Sequence, residues 1–167
     1  NGEGGAGPEI PDFELIRLIG HGSFGDVWIA RNVSGALRAV KVVWRNRFAD
    51  AEPYEREFRG LQRFAKISLE SARQLALLHV GINAQEGFCY SVMELADDAE
   101  TGRQIQPERY APLTLRELRR RQGRLAVADA VRIGVDLAGA LVELHQHGLI
   151  HRDVKLSNVI LVGGVPK

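Results

Sequence analysis

The sequence contains very little sulfur. Its 167 residues include one methionine and one cysteine, Cys89, so an internal disulfide and a zinc site built from several cysteines are both excluded. A composition of this kind fits a reducing compartment. Long apolar runs are also missing, since no stretch is long enough to cross a bilayer and the start has no signal-peptide pattern. We therefore expect a cytoplasmic chain without a membrane segment, although a longer parent protein could carry an anchor outside this sequence.

The sequence also has no excess of charge of either sign. Twenty-two Lys and Arg residues face 21 Asp and Glu residues, for a net charge of +1, so nothing indicates a nucleic-acid partner or a membrane surface. Lysine is rare and occurs only as Lys41, Lys66, Lys155 and Lys167. The hydrophobic fraction of 45% and the charged fraction of 26% are those of an ordinary globular protein.

A glycine-rich turn between two predicted strands is the first distinctive feature. Residues 1–11 are rich in glycine and proline with almost nothing to bury, which predicts a flexible leader. Residues 13–19 and 26–30 predict strands, and between them lies Gly20-His21-Gly22-Ser23-Phe24-Gly25. Glycines let backbone N–H groups approach phosphate oxygens. Because a strand follows, a dinucleotide fold is disfavoured, and no Gly-Lys-Ser/Thr follows to make a P-loop. A plain tight hairpin remains the alternative.

A lysine interrupts the next apolar strand. Lys41 stands within Ala39-Val40-Lys41-Val42-Val43, where it either faces solvent or has a function. Residues 54–66 predict a helix from apolar residues three to four positions apart. Glu57 lies at the edge of the apolar face and could reach Lys41, with Glu55 as the rival. We prefer Glu57 because Leu61 then falls one turn further on the same face. The alternative is that these glutamates are merely solvated.

The middle of the chain changes from apolar to polar. Residues 75–80 and 88–95 predict two more strands, and residues 97–112 predict a loop insertion. Thr114 and Glu117 have the spacing of a capping box that opens a short helix. An arginine cluster follows, which is either a solvated helix face or a docking patch for an anionic partner: Arg116, Arg119, Arg120, Arg121 and Arg124.

A long amphipathic helix then leads into a polar turn. Residues 126–147 carry an apolar stripe, and Gly148 predicts the end of the helix. The turn reads His151-Arg152-Asp153-Val154-Lys155-Leu156-Ser157-Asn158, and apolar residues 159–162 predict a strand after it. Ionisable side chains held between two apolar elements suit a catalytic loop. A solvated polar turn is the alternative.

In this order, these features resemble the N-terminal part of the eukaryotic-like protein kinase domain of the Ser/Thr type. The resemblance rests on G-x-G-x-x-G-x-V ending at Val27, on Ala39-Val40-Lys41, on Met93-Glu94-Leu95 and on the H-R-D-x-x-x-x-N of residues 151–158. It implies an α+β fold with a five-stranded antiparallel N-lobe sheet and one helix, followed by the first part of a mainly helical C-lobe. Residues 12–95 would be the N-lobe, and residues 96–167 the hinge and a partial C-lobe.

The resemblance also implies an activity, the transfer of phosphate from ATP to a protein Ser/Thr hydroxyl with ATP and Mg²⁺ as cofactors. Asp153 would accept the hydroxyl proton, and Lys155 would contact the γ-phosphate. Lys41, steered by Glu57, would hold the α- and β-phosphates. Asn158 would be a metal ligand.

The nucleotide-binding residues implied by the resemblance lie along the whole chain. The glycine-rich residues would cover the phosphates, apolar side chains would enclose the adenine with Met93 at the back, and the backbone of Glu94 and Ala96 would supply hinge hydrogen bonds. The full set is Ile19, Gly20, Gly22, Ser23, Gly25, Val27, Ala39, Lys41, Met93, Glu94, Ala96, Asn158 and Ile160. Arg152 would pair with a phosphorylated activation loop, and His151 would pack the loop against the core.

The sequence departs from the family pattern at its end. It stops before the Asp-Phe-Gly motif, whose aspartate would be the principal Mg²⁺ ligand, so we expect a truncated domain that is poorly active alone. A pseudokinase or nucleotide-binding regulatory scaffold is the alternative, and a module that docks through the arginine cluster is a third reading. The protein substrate and the oligomeric state do not follow from the sequence.

Overall fold

The computed structural model describes residues 7–22 and 25–167, and within them eight longer elements and a few short ones. The strands are β1 (Phe13–His21), β2 (Asp26–Asn32), β3 (Leu37–Trp44), β4 (Leu77–Asn83), β5 (Phe88–Met93), β6 (Leu161–Val162) and β7 (Val165–Pro166). The helices are α1 (Ala51–Ser68), α2 (Leu115–Gln122) and α3 (Val127–Gln146), and a short 3₁₀ helix, Arg45–Arg47, follows β3.

The first five strands form one antiparallel sheet in the order β1-β2-β3-β5-β4. Strands β6 and β7 form a separate two-stranded sheet. The predicted five-stranded sheet with a single helix, followed by further helices, is therefore confirmed. Short connections place β1 beside β2, β2 beside β3 and β4 beside β5. The long connection through α1 separates β3 from β4, and β5 is the strand that pairs with β3.

The two faces of the large sheet bury different residues, as the two-residue period of a strand requires. The outer face carries a core cluster that includes Val40, Val42 and Phe88. The inner face carries Val43 and Cys89, against which α1 packs. Helix α1 places an apolar stripe over this inner face, and that contact fixes the rotation of the helix about its axis.

The outer core begins before the first strand. Ile10 is 3% exposed and belongs to the outer cluster, and the N–H of Phe13 donates to its carbonyl over 3.1 Å. The prediction of a leader through residue 11 is therefore wrong at its C-terminal end. A single isoleucine among glycines and prolines gives no periodic signal, although burying it removes a whole side chain from water.

The helical part is held by its caps and by a small core. The Thr114 hydroxyl accepts from the Glu117 N–H over 3.1 Å, as the capping box predicts. The Glu117 carboxylate instead turns to Arg120 and Arg121, so the reciprocal half of the box is absent. Gly148, with φ of 69°, ends α3 as predicted.

Helix α3 is covered along only part of its length. Ile133 is buried beside Leu115 and Val159, and Leu144 is also buried. Val127 and Val131 of the predicted stripe are more than half exposed. No helix among the described residues is long and apolar enough to cross a membrane.

Candidate functional site

Lys41 and Glu57 meet on the inner face of the sheet. On β3, Lys41 lies opposite Val27 on β2 and Ser91 on β5. Its Nζ is 3.2 Å from Glu57 Oε1 on α1, and both side chains are about one-third exposed. The rival Glu55 lies on the outer side of the helix with Arg59. The structure thus contains the Lys41–Glu57 pair that the sequence favoured over Lys41–Glu55. The pair directs the Lys41 ammonium into the space beneath the sheet.

The same face carries the apolar residues expected above an adenine. Val27 pairs with Lys41 and Met93 pairs with Ala39, and cross-strand partners project from the same face. Val27, Ala39, Lys41 and Met93 therefore lie on one side of the sheet. Ile19, near the end of β1, is half-buried.

The glycine-rich turn is described at its two ends. Ser23 lies outside the described residues, as does Phe24. The Gly22 N–H donates to the Gly25 carbonyl over 2.9 Å. A Cβ on Gly25 would lie 2.3 Å from the carbonyl oxygen of Val42, so only glycine fits there. Gly20 pairs with Val27 and His21 pairs with Asp26, so the two strands stay paired up to the turn itself.

An ion cluster that the sequence did not reveal holds the base of this turn. The Asp26 carboxylate contacts His21 Nδ1 at 2.5 Å and Arg47 Nη2 at 2.5 Å. Arg47 Nη1 also donates to the Gly22 carbonyl over 3.3 Å. Arg47 comes from the 3₁₀ helix, so the glycine-rich turn is linked to the connection that leads into α1.

The hinge, residues 94–96, has two open backbone groups. The Glu94 N–H donates to the Ala76 carbonyl over 3.1 Å, and the Ala96 carbonyl accepts from the Tyr110 hydroxyl over 3.2 Å. Within the described part of the chain, no hydrogen bond reaches the Glu94 carbonyl or leaves the Ala96 N–H. One acceptor and one donor are thus left for a ligand. Tyr110 was not among the residues found from the sequence.

Backbone hydrogen bonds and one ion pair hold Ile160 beside the hinge. The Asp97 N–H donates to the Leu161 carbonyl over 2.7 Å, and Ile160 exchanges two backbone hydrogen bonds with Lys167. The Lys167 ammonium reaches Glu94 Oε1 at 2.8 Å. These contacts set the half-buried Ile160 beside the hinge segment, on the C-lobe side.

The predicted catalytic loop brings three of its polar side chains together. Lys155 Nζ and Asn158 Nδ2 each lie 2.8 Å from Asp153 Oδ2. The Asn158 amide also donates to the Asp153 carbonyl over 2.9 Å. The hydrogen bonds from Lys155 and then from Asn158 lower the pKa of Asp153 below its usual range. Asp153 is therefore an ionised hydrogen-bond acceptor at neutral pH.

The prediction that His151 packs the loop against the core is wrong. His151 is exposed, and its Nδ1 accepts from the Asp153 N–H over 3.3 Å. The His151 side chain lines the rim of the cavity beside the loop instead of packing into the core. Arg152 is exposed too, and its φ of 64° places it in the left-handed region, a conformation that turns the backbone sharply before Asp153.

A cavity of about 390 Å³ lies between α1, α3 and the catalytic loop. Phe64 of α1, Leu137 of α3 and the loop residues Lys155 and Asn158 all line it, together with Ile160. The cavity thus connects the C-terminal half of α1 with the loop that carries Asp153.

The side chains present fit magnesium only in part. Mg²⁺ takes oxygen ligands and is commonly held by one or two protein groups together with substrate phosphates and water. The Asn158 amide nitrogen is engaged by Asp153, which leaves its amide oxygen for a metal. Among residues 7–22 and 25–167, no group of three or more His, Cys, Asp or Glu side chains is arranged to hold a metal ion. Asn158 therefore fits as a single ligand.

The arginine cluster of α2 is partly neutralised within the chain. Arg120 and Arg121 both donate to the Glu117 carboxylate, at 2.6 and 2.7 Å from their shared acceptor oxygen. These hydrogen bonds, from Arg120 and then Arg121, lower the pKa of Glu117 to about 2. Two members of the cluster are thus occupied, which weakens the interpretation as a docking patch.

Known proteins match nearly the whole chain. The sequence model of the protein kinase domain matches residues 13–166. CBL-interacting serine/threonine-protein kinase 7 of Arabidopsis thaliana is 33% identical over 150 residues, which are 89% of this chain and 31% of that protein. Serine/threonine-protein kinase PknA of Corynebacterium glutamicum is 28% identical over 153 residues, 90% of this chain and 29% of that protein. The chain thus spans less than a third of these relatives.

A solved structure shows the same fold. The crystal structure of the PknI kinase domain of Mycobacterium tuberculosis matches with a TM-score of 0.70 and 23% sequence identity. The match covers 97% of this chain and 60% of that one. At this identity the likeness concerns the fold, and it confirms the predicted α+β, kinase-like arrangement of N-lobe and partial C-lobe.

Proposed function

The chain belongs to the protein kinase domain family, and from this premise we propose that it is part of an ATP-dependent serine/threonine protein kinase. The observation that carries the proposal is the contact of Asp153 with both Lys155 and Asn158. One ionised carboxylate beside a cation and a carboxamide is the arrangement that a phosphoryl transfer needs at the attacking hydroxyl.

In the proposed reaction, the substrate hydroxyl oxygen bonds to the γ-phosphorus of ATP while the bond from that phosphorus to the β-γ bridging oxygen breaks. Asp153 accepts the hydroxyl proton, and ADP leaves with the electron pair of the broken bond. Lys155 Nζ neutralises charge on the transferred group. Mg²⁺, when bound, would compensate negative charge on the phosphates, and Asn158 would hold it through its amide oxygen.

Nucleotide binding would use the opposite side of the cleft. Lys41, oriented by Glu57, would contact the α- and β-phosphates, since an ammonium on a flexible stem needs a partner to fix its position. The glycine-rich turn would cover the phosphates with backbone N–H groups. The adenine would lie between Val27 and Ile160, and the hinge would offer it one acceptor and one donor.

Serine/threonine specificity is supported by Lys155, which stands two residues after Asp153, and by the names of the relatives. Within the proposal, residues 12–95 form the N-lobe and residues 96–167 the hinge and part of the C-lobe. The proposal includes a cytoplasmic location, for which the single cysteine is the support.

The test uses the full-length protein with labelled ATP and a generic Ser/Thr substrate. We expect Asp153→Asn to lower kcat by about 100-fold or more, the usual effect of losing a general base. Glu57→Gln should lower kcat/KM, and Glu55→Gln is its matched control because, among the described residues, Glu55 forms its ion pair with the exposed Arg59 and not with Lys41. Equal activity of wild type and Asp153→Asn refutes the role of Asp153. ATP binding without any transfer by the wild type identifies a nucleotide-binding scaffold instead.

A further inference from the structure

The loop insertion at residues 97–112 is folded around one buried carboxylate. Asp98 is 6% exposed. Its Oδ1 accepts from the Glu100 N–H over 2.8 Å and the Thr101 N–H over 2.9 Å, and its Oδ2 accepts from the Ala111 N–H over 2.9 Å. Burial raises the pKa of Asp98, but the hydrogen bonds from the backbone outweigh it and the pKa is lowered overall. An ionised side chain with this many donors organises the segment, which is therefore not a loose connection.

This segment contacts the hinge through a buried tyrosine. Tyr110 is 2% exposed, and its hydroxyl donates to the Ala96 carbonyl over 3.2 Å. This hydrogen bond holds the peptide that follows the proposed adenine-binding groups. Burial, the largest cause, raises the pKa of the Tyr110 phenol well above its usual range, so the phenol is a permanent donor.

The same segment also contacts the strand that leads into the glycine-rich turn. Arg17 of β1 donates through Nε to the Pro107 carbonyl over 3.4 Å and through Nη2 to the Tyr110 carbonyl. Irregular pairing flanks Arg17, since the register of β1 against β2 shifts between Leu15 and Arg17 and again between Leu18 and Gly20. Such bulges re-aim side chains, and here the side chain of Arg17 reaches across to the segment after the hinge.

We propose that residues 97–112 act as a strap between β1 and the hinge, with Arg17 and Tyr110 as positioning residues that slow nucleotide release. The inference rests on the proposed function. The strap fixes the distance between the glycine-rich turn and the Glu94 and Ala96 backbone groups, so the nucleotide has to break the strap contacts, or wait for them to open, before it leaves. Neither positioning residue touches the nucleotide itself.

Occupation of the Ala96 carbonyl adds a consequence for selectivity. A base that uses one acceptor and one donor of the hinge finds both open, whereas a ligand that also needs the Ala96 carbonyl has to share that oxygen with the Tyr110 hydroxyl or displace it. Leaving a buried phenol without a partner is unfavourable. The strap therefore selects ligands that make two hinge contacts over ligands that make three.

The experiment compares Arg17→Met and Tyr110→Phe with wild type in the full-length protein. Tyr110→Phe removes one oxygen, and Arg17→Lys serves as a second variant that keeps the charge but loses the forked geometry. Arg31→Met is the matched control, since Arg31 lies on the neighbouring strand and its ion pair among the described residues, with Glu14 over 3.4 Å, is at the surface. Two quantities are measured: the stopped-flow dissociation rate of a fluorescent ADP analogue, and amide hydrogen exchange in residues 94–98 without nucleotide.

We expect Arg17→Met and Tyr110→Phe to release the ADP analogue about tenfold faster, the change that corresponds to losing one charge-assisted or buried hydrogen bond. Hydrogen exchange at the hinge should also accelerate, with Arg31→Met unchanged in both. A dissociation rate within about twofold of wild type in both variants overturns the strap, whereas ADP binding by the wild type leaves the proposed function in place. If the wild type binds no nucleotide, the proposed function is refuted. Hydrogen exchange at residues 94–98 then still tests the strap, because unchanged exchange in Arg17→Met would show that Arg17 does not restrain the hinge.

Discussion

Two buried serines should respond in opposite directions when their hydroxyls are removed. Ser91 on β5 has no exposed surface, and its Oγ has no hydrogen-bond partner among the described residues. Ser68 at the end of α1 is equally buried, at 2% exposed, but its hydroxyl donates to the Ala65 carbonyl and accepts from the Leu77 N–H, both over 3.1 Å. Comparing the two alanine variants isolates the effect of pairing, since the side chains are identical.

The expected magnitudes follow from the cost of a buried hydroxyl. An unpaired buried polar group costs about 1–3 kcal/mol relative to its hydrated state. Ser91→Ala removes that cost and loses only a few van der Waals contacts, so we expect the free energy of unfolding to rise by about 1 kcal/mol. Ser68→Ala leaves a buried N–H and a partly buried carbonyl without their partner, so we expect a fall of about 1–3 kcal/mol.

Urea denaturation of the full-length protein, followed by circular dichroism, measures both changes. The midpoint should shift up for Ser91→Ala and down for Ser68→Ala, with unchanged slopes, because a changed slope would report on the denatured state instead. A loss of about 1 kcal/mol or more in Ser91→Ala would refute the reasoning. That result would mean that the Ser91 hydroxyl is paired in solution, for example with a buried water beside Lys41.

Two further predictions concern packing and charge. Gly81→Ala should lower the free energy of unfolding by about 1–3 kcal/mol, because the added Cβ would lie 2.3 Å from the ring of Tyr90. Gly60→Ala, whose added Cβ meets nothing within 4 Å, should instead raise the free energy of unfolding by about 0.5–1 kcal/mol. Urea midpoints in the opposite order would contradict both expectations. Lys155→Met should raise the pKa of Asp153 toward its usual value, because the lysine is the largest cause of the lowering. Because the pKa of Asp153 is lower in the folded chain, its contact with Lys155 stabilises the fold at pH values above the pKa that Asp153 has in the unfolded chain. This contribution is lost as the pH falls through the folded-state pKa. Carboxyl-carbon NMR titration below about pH 5 measures the shift, and an unchanged pKa would show that Lys155 does not contact the carboxylate in solution.

Local patterns predicted the individual strands and the face of α1 that carries Glu57, because both are periodic within one element, whereas the antiparallel sheet was implied by the family resemblance. Alternation identifies a strand, and helical spacing placed Glu57 beside the packed face of α1 while Glu55 turned outward. The catalytic loop was equally local, since Asp153, Lys155 and Asn158 meet within a single turn.

The contacts that the sequence did not reveal are long-range or use backbone acceptors. Arg17 binds carbonyls 90 and 93 residues away, and a carbonyl is present at every residue, so no side-chain pattern identifies the partner. Asp98 left a faint signal, because Asp98, Thr101 and Gly102 have the composition of a turn in which a side-chain oxygen caps backbone N–H groups. Ile10 had no periodic neighbours and was recognised only by its burial.

The base of the 97–112 segment is closed by hydrogen bonds between its own ends. The Leu113 N–H donates to the Asp97 carbonyl and the Ala99 N–H donates to the Ala111 carbonyl, each over 2.8 Å. The chain therefore leaves and re-enters the domain at nearly one point, and the entropy of closing a longer loop grows only slowly with its length. A stretch with such neighbouring ends could be gained or lost in evolution as one piece, and its contacts with Arg17 and the hinge would come or go with it. It could also be cut out by joining residue 97 to residue 113, or grafted between the corresponding positions of a relative that lacks it.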